Sequence, residues 1–493
     1  MSDATDYVGL HARRWPAKLA LCDLASGARW SYREFDLAIA RCAALLASRG
    51  VAQGERVAAL AKNHAALIVL HLACARLGAV YVPLNWRLSG QELNGLIADC
   101  EPMLVLGDRQ IDKAGIAGVL LEEFMREAAG LVPLATPPLA PDRLSVILYT
   151  SGTSGRPKGV LLTERNLEQQ GLNFVILAEV TNDSVFLSES PMFHTIGLVA
   201  CLRAPVIRGS TILVSDGFEP PRTIQRIGDP ALGITHYFAV PQMAAMLRTE
   251  PSFDPAKFRS LTALFSGGAP HAAAAIRAWL ADGIAVADGF GMSETGTVSC
   301  MPLDREEIAR RAGGVGVTLP STLIRIVDEQ DRDCAPDAPG ELLVKGAHVT
   351  SGYWRRPAET RAAFTEDGFL RTGDIASRDE NGFLRLIDRK KDMFISGGEN
   401  VYPAEIEAAL ADHPDIAECA VVGVPDARWG EVGHLAVVLR PGITCLTYEA
   451  MIAHLTPKLA RYKLPKAMSL HAALPRTGTG KLQKAALKAL VAS

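Results

Sequence analysis

Apolar positions along the chain follow two rhythms. Short unbroken apolar runs read as buried strands: RVAALA (Arg56–Ala61), AVYVPL (Ala79–Leu84), MLVLG (Met103–Gly107) and LSVILY (Leu144–Tyr149). Amphipathic, helix-like sequence separates them, and the alternation predicts α/β architecture. From Ala65 to Leu84 the chain is apolar almost throughout, but His71, Arg76 and Pro83 interrupt it. That stretch predicts a buried helix running into a buried strand, not a membrane span. A Pro-rich passage, Val132–Asp142, predicts a surface connector. LSVILY then delivers the chain to a Gly/Ser-rich loop. GVLLT predicts the next strand, and Thr163 the N-cap of a helix beginning ERNLEQQ.

The pattern changes character near Asp388. YPAEIEAAL (Tyr402–Leu410) predicts a helix with Pro403 in its first turn. CAVVGV (Cys419–Val424) and HLAVVL (His434–Leu439) predict strands. A helix from Thr447 and a short C-terminal helix, KLQKAALKAL, follow. Roughly one hundred residues of compact α/β pattern are enough for a separate domain. The expected division is therefore residues 1–388, a connection at 389–391, and 392–493.

Composition narrows the classes. The 493 residues are 48% hydrophobic and 21% charged, as in ordinary globular chains with room for several domains. A net charge of −3 with no basic block predicts no nucleic-acid partner. Nine cysteines without a Cys-x-x-Cys pair predict free thiols in a reducing compartment. The N-terminus lacks the apolar core of a signal peptide, so a cytoplasmic location is expected.

One loop raises a chemical question. YTSGTSGRPKGV (Tyr149–Val160) has the hydroxyls, glycines and lysine of a phosphate-binding loop. Its spacing is not that of a P-loop, because Gly159 follows Lys158 where Ser or Thr is required. No Gly-x-Ser-x-Gly elbow points to a serine hydrolase either. Thr150, Ser151, Gly152, Thr153, Ser154, Gly155 and Lys158 are the phosphate-binding candidates.

The loop resembles the signature of the adenylate-forming enzymes, which include acyl-CoA synthetases, aryl-CoA ligases, luciferases and peptide adenylation domains. Further motifs follow in the family's order over almost the whole chain. GFGMSET (Gly289–Thr295) resembles its Gly-Tyr-Gly-Met-Thr-Glu motif, with Phe290 in place of Tyr. The resemblance implies that Gly289, Phe290, Gly291 and Met292 lie against adenine and the acyl group. It implies that Ser293 contacts phosphate and Glu294 holds Mg²⁺. SGGAP (Ser266–Pro270) implies an adenine-side loop with Gly268 and Ala269. RTGDIA implies that Asp374 binds the ribose hydroxyls, and DRKKD implies that Arg389 reaches ribose or phosphate, with Lys391 as hinge.

Ser396, Gly397 and Gly398 would approach the pantetheine of CoA, with Trp429 and Lys463 as further CoA contacts. PRTGTGK places Lys481 where the family has its catalytic lysine. PMFHTIGL places His194 at the acyl pocket, which Phe238 and Gly291 also line.

The implied fold is a large N-terminal domain of α/β sheets with a small β-barrel-like subdomain, followed by a small mobile C-terminal α/β domain. The implied reaction is ATP- and Mg²⁺-dependent ligation of a carboxylic acid to coenzyme A through an acyl-adenylate, releasing pyrophosphate and AMP. The pocket strips show no Asp to anchor an ammonium group, and no carrier domain is recognisable. Both absences favour a free acyl- or aryl-CoA ligase over an enzyme loading a carrier protein. Gly397–Asn400 and the length resemble bacterial feruloyl- or fatty-acyl-CoA synthetases, so the expected acid is aromatic (ferulate, coumarate or benzoate-like) or a medium- or long-chain fatty acid. The resemblance also admits a homodimer.

Overall fold

A computed structural model of the chain describes residues 3–150, 157–396, 399–426, 429–459, 461–476 and 482–491, with only the backbone at Lys113, Glu399 and Asn400. The chain forms two compact units. The first comprises Met1–His271, Ala275–Leu323 and Val344–Leu370; the second comprises Ala272–Ala274, Ile324–Leu343 and Arg371–Ser493.

Two sheets build the first unit. The six-stranded sheet runs Val119–Leu120, Leu104–Gly107, Arg56–Leu60, Val80–Pro83, Leu144–Thr150 and Lys158–Thr163. Its strands are parallel except for the final pair, an antiparallel hairpin. The nine-stranded sheet runs Val317–Thr318, Gly296–Cys300, Val286–Met292, Ala263–Gly267, His236–Phe238, Val185–Ser188, Thr211–Val214, Leu19–Asp23 and Arg29–Ser31.

The principal core joins apolar residues of both sheets, among them Leu21, Ile212, Val57 and Val146, to two helices. Helix Tyr32–Ser48 begins at a capping box of Ser31 and Glu34. Helix Ala65–Leu77 buries eleven of its thirteen residues, which is why its sequence is apolar all round. Gly78, at φ +74°, ends it in the left-handed conformation and lets the chain turn into strand Val80–Pro83.

In the second unit a four-stranded sheet runs Leu323–Val327, Gly340–Lys345, Leu370–Arg378 and Leu384–Arg389. No closed barrel is formed among the described residues. A five-stranded sheet follows. Its long antiparallel pair, Ile416–Asp426 with Gly430–Leu439, carries helices Pro403–Leu410 and Lys484–Val491, and helix Tyr448–Leu455 packs on the first of these. Ile406, Leu410, Val421, Leu435 and Met451 close its core. All nine cysteines are free thiols. No helix among the described residues is long and apolar enough to cross a membrane.

Candidate active site

The strand pair at the end of the six-stranded sheet presents the Gly/Ser-rich loop. Tyr149 lies opposite Gly159 and Thr150 opposite Lys158, so the hairpin closes just where the loop begins. Ser151, Gly152, Thr153, Ser154 and Gly155 lie outside the described residues. Gly159 has a packing reason to be glycine: a Cβ there would stand 2.6 Å from Ile147 Cγ2 and 3.3 Å from Trp354 Cβ.

Lys158 does not stand alone. Its Nζ lies over the Tyr353 ring, 5.1 Å from the centroid. The Tyr353 hydroxyl donates to Glu294 Oε1 at 3.0 Å, and Thr350 N–H donates to the Glu294 carbonyl at 2.7 Å. Tyr353 thus joins the cation of one motif to the carboxylate of another. Burial, and then the Glu294 charge, hold its hydroxyl well above the usual phenol range, so it remains a donor. Sequence reading missed Tyr353, which is 59 residues from Glu294.

Glu294 itself is buried. A single carboxylate suits Mg²⁺, which takes one or two carboxylates and completes its shell with substrate phosphates and water. No cluster of three His, Cys, Asp or Glu able to hold a metal without substrate occurs among the described residues.

The glycine motifs sit side by side in the nine-stranded sheet, with Gly267 opposite Gly289 and Ser266 opposite Asp288. A Cβ on Gly267 would meet the Gly289 carbonyl oxygen at 2.7 Å, and one on Gly291 would meet the Gly296 carbonyl oxygen at 2.3 Å. These glycines therefore allow close strand packing as well as an open face. Gly268, at φ +82°, and Ala269 are exposed. Phe290 is buried, while Met292 and Ser293 are half-buried.

Asp288, a residue the sequence reading passed over, is buried with Oδ1 lacking a hydrogen-bond partner. Burial lifts its carboxyl to about 7 against the hydrogen bonds from Gly289 N–H and Ser266. Ser266 Oγ also lies 3.0 Å from His271 Nδ1.

Of the acyl-pocket candidates, Phe238 lies at the same edge. The Gly267 Cβ position is 3.6 Å from Phe238 Cζ, and that of Gly268 is 3.6 Å from Ile196 Cδ1. Phe238 in turn packs on Phe174, with ring centroids 6.3 Å apart. His194 packs at a tilt on Phe193 just before the π-helix Ile196–Arg203, whose Leu198 N–H donates to the His194 carbonyl. Asn63 clamps the preceding turn, donating to Ser190 O at 2.8 Å and accepting from Met192 N–H at 3.0 Å. A π-helical turn is a common feature of functional sites.

In the second unit, Asp374 and Arg389 are partners across antiparallel strands, and Arg389 Nε lies 2.7 Å from Asp374 Oδ1. Two residues expected at the ribose are thereby brought together. Gly373, at φ +70° inside strand Leu370–Arg378, takes the left-handed conformation just before Asp374. Lys391 is exposed, in a turn where Asp392 N–H donates to Arg389 O.

Ser396 is buried beside Gly430, and Trp429 is 43% exposed next to it in sequence. Lys463 is engaged by Glu405, at 2.6 and 2.8 Å. Gly397, Gly398 and Lys481 lie outside the described residues. The ends of the Lys481 loop are paired: Arg476 bridges to Leu482, and Gln483 N–H donates to Pro475 O at 2.9 Å.

The sequence profile described as AMP-binding enzyme matches residues 10–354, and that of the AMP-binding enzyme C-terminal domain matches 405–481. The chain belongs to the AMP-binding enzyme family. Among its relatives, a feruloyl-CoA synthase of Amycolatopsis sp. is 36% identical over 93% of each chain. An indoleacetate–CoA ligase of Aromatoleum aromaticum is 35% identical over 99% of this chain and 98% of its own. The o-succinylbenzoate CoA synthetase of Bacillus subtilis, solved with its acyl-adenylate, superposes with TM-score 0.90 at 30% identity over 99% of both chains. That enzyme is also solved with ATP and a magnesium ion.

This AMP-binding enzyme is an ATP-dependent, AMP-forming acyl-CoA synthetase with a large N-terminal and a small C-terminal α/β domain. Its substrates are ATP, a small carboxylic acid and coenzyme A, with magnesium as cofactor.

Proposed function

We propose that this ligase activates an aromatic carboxylic acid, of the ferulate, coumarate or benzoate type. The observation that carries the reading is the apolar edge where Ile196 and Phe238 approach Gly268 and Gly267, beside the motif that carries Glu294. An aryl group stacks on Phe238, and no fixed charge among these four residues would oppose it. The feruloyl and indoleacetate ligases among the relatives support the same class.

In the first half-reaction a carboxylate oxygen attacks the α-phosphorus of ATP, the α–β bridging bond breaks, and pyrophosphate leaves. Charge builds on phosphate oxygens, so the residues' work is positioning and electrostatic stabilisation. Residues Thr150 to Gly155 and Lys158 hold the β- and γ-phosphates, and Tyr353 orients Glu294. Magnesium, when bound at Glu294, neutralises phosphate charge. Lys481 bridges the carboxylate and α-phosphate. Asp374 and Arg389 take the ribose, and Asp288 offers its unpartnered Oδ1 to the exocyclic amino group of adenine. His194 borders the reacting carboxylate.

In the second half-reaction the CoA thiolate attacks the acyl carbonyl, and AMP leaves. Ser396 to Gly398 and Trp429 line the pantetheine route. Lys463 reaches a CoA phosphate only by leaving Glu405. Lys481 and pantetheine need the same face in turn, so residues 392–493 rotate against 1–388 about the hinge 389–391, with Lys391 absorbing the backbone change.

Pyrophosphate release with MgATP tests the reading, measured across ferulate, coumarate, benzoate and fatty acids from butyrate to palmitate, with and without CoA. Fastest release with an aromatic acid, together with its CoA thioester, is the expected result. A preference for palmitate would move the substrate to fatty acids. Pyrophosphate without thioester would replace CoA by a carrier-protein acceptor.

A further inference from the structure

Asp388 closes strand Leu384–Arg389, immediately ahead of the hinge residues. Its carboxylate does not stay with its own strand. Oδ2 accepts from the backbone N–H of Ala404 at 2.8 Å, in the first turn of helix Pro403–Leu410. Oδ1 accepts from Arg389 N–H at 2.7 Å. A carboxylate at a helix N-terminus satisfies a donor that the helix leaves open and meets the positive end of its dipole.

One turn along the same helix, Glu407 Oε1 accepts from Val421 N–H at 2.8 Å and pairs with Lys484 Nζ at 2.9 Å. The Lys484 and Glu407 side chains are only 15% and 23% exposed. Lys484 also attracts Asp388, and that attraction is the largest influence opposing the rise that burial imposes on the Asp388 carboxyl. The ammonium therefore pairs with Glu407 and attracts Asp388 through space. Glu407 belongs to the same segment as Lys484, whereas Asp388 lies on the other side of residues 389–391.

We propose that Asp388 is a positioning residue that latches the hinge: its carboxylate holds the first turn of helix Pro403–Leu410, where the nearby Lys484 ammonium attracts it, favouring the arrangement in which these groups meet over the rotated one. The inference rests on the ligase reading and on a hinge at 389–391. An interaction made in one state only shifts the balance between states by its own free energy. Weakening the latch thus raises the half-reaction that uses the rotated arrangement and lowers the other. Loss of a purely structural contact would lower both.

The test uses the full-length enzyme. ATP–pyrophosphate exchange measures adenylation with the best acid of the panel, and thioester formation from supplied acyl-adenylate (feruloyl-adenylate first) measures the second step. Asp388→Asn, which keeps an acceptor for the amides but removes the charge, is expected to move the two rates in opposite directions and to change their ratio by about fivefold, the low end of typical coupling between states. Lys484→Gln should shift the ratio in the same direction, while Lys484→Arg retains the wild-type ratio. Parallel loss of both rates in Asp388→Asn, or an unchanged ratio in both neutral variants, would overturn the latch. A wild-type enzyme silent across the whole panel would instead overturn the substrate reading, separately from the latch.

Discussion

Two regions of this molecule bury ion pairs, and they differ in what their partners can do. In the first unit, Glu164 is held by Arg203 and by Ser145 Oγ at 2.6 Å, with Arg143 3.8 Å away. Arg203 Nε also donates to His71 Nε2 at 3.0 Å. Burial works to raise the Glu164 carboxyl, yet the two guanidinium groups and the hydroxyl bring it down to about 2. In the second unit, Lys484 faces Glu407 and Asp388, and burial still keeps both carboxyls above their ordinary values. Two cations on one carboxylate make a lock, whereas one cation shared by two carboxylates leaves each less firmly charged. The first cluster suits a core that stays closed, and the second suits a place where one partner moves away.

The largest effect expected is on the lock. Arg203→Met leaves Glu164 buried with only the more distant Arg143, and stability falls by about 3–5 kcal/mol. Chemical denaturation measures this. A loss below ~1 kcal/mol would mean that Arg143 alone suffices, and the comparison would collapse.

A carboxyl with no cation sharpens the contrast. Asp288 is raised to about 7 in the folded chain, above its ordinary value. As pH climbs from the ordinary carboxylate range towards 7, the unfolded chain has released this proton while the folded chain retains it. Stability therefore falls across that window, and the penalty is complete above about pH 7. Asp288→Asn is expected to raise the melting temperature most at pH 8 and least at or below pH 4, read by thermal unfolding at both pH values. The smallest of these effects is the fivefold change of rate ratio at Asp388.

Local structure was legible in the sequence where local chemistry sets it. Thr163 is an N-cap as its side chain predicts, the helix read from Thr447 begins at Tyr448 with Thr447 as its cap, and Pro403 opens its helix. Strands Arg56–Leu60, Val80–Pro83, Leu104–Gly107 and Leu144–Thr150 match the apolar runs within a residue or so. The long pair Ile416–Asp426 and Gly430–Leu439 extends well beyond its apolar centres, because an antiparallel ladder tolerates polar residues on its outer positions. The last helix starts at Lys484, later than its pattern, since Leu482 pairs with Arg476 and Gln483 with Pro475.

The candidate site was legible as motifs, and its wiring was not. Tyr353, which ties Lys158 to Glu294, and Asn63, which braces the turn before His194, come from distant parts of the chain. Asp288 stands next to a recognised motif, but only the structure shows an acceptor buried without a partner. Glycines at 159, 289 and 291 were read for ligand approach. The structure gives each a packing reason as well, which no spacing rule reveals.

The central claim is that separate parts of one chain serve two half-reactions in turn. Lys481→Ala tests it most directly, assayed for adenylation by pyrophosphate exchange and for thioester formation from supplied acyl-adenylate. The account predicts that adenylation falls by about 10²–10³-fold, as when one preorganised stabiliser is lost, while thioester formation persists. Equal loss in both half-reactions would contradict it.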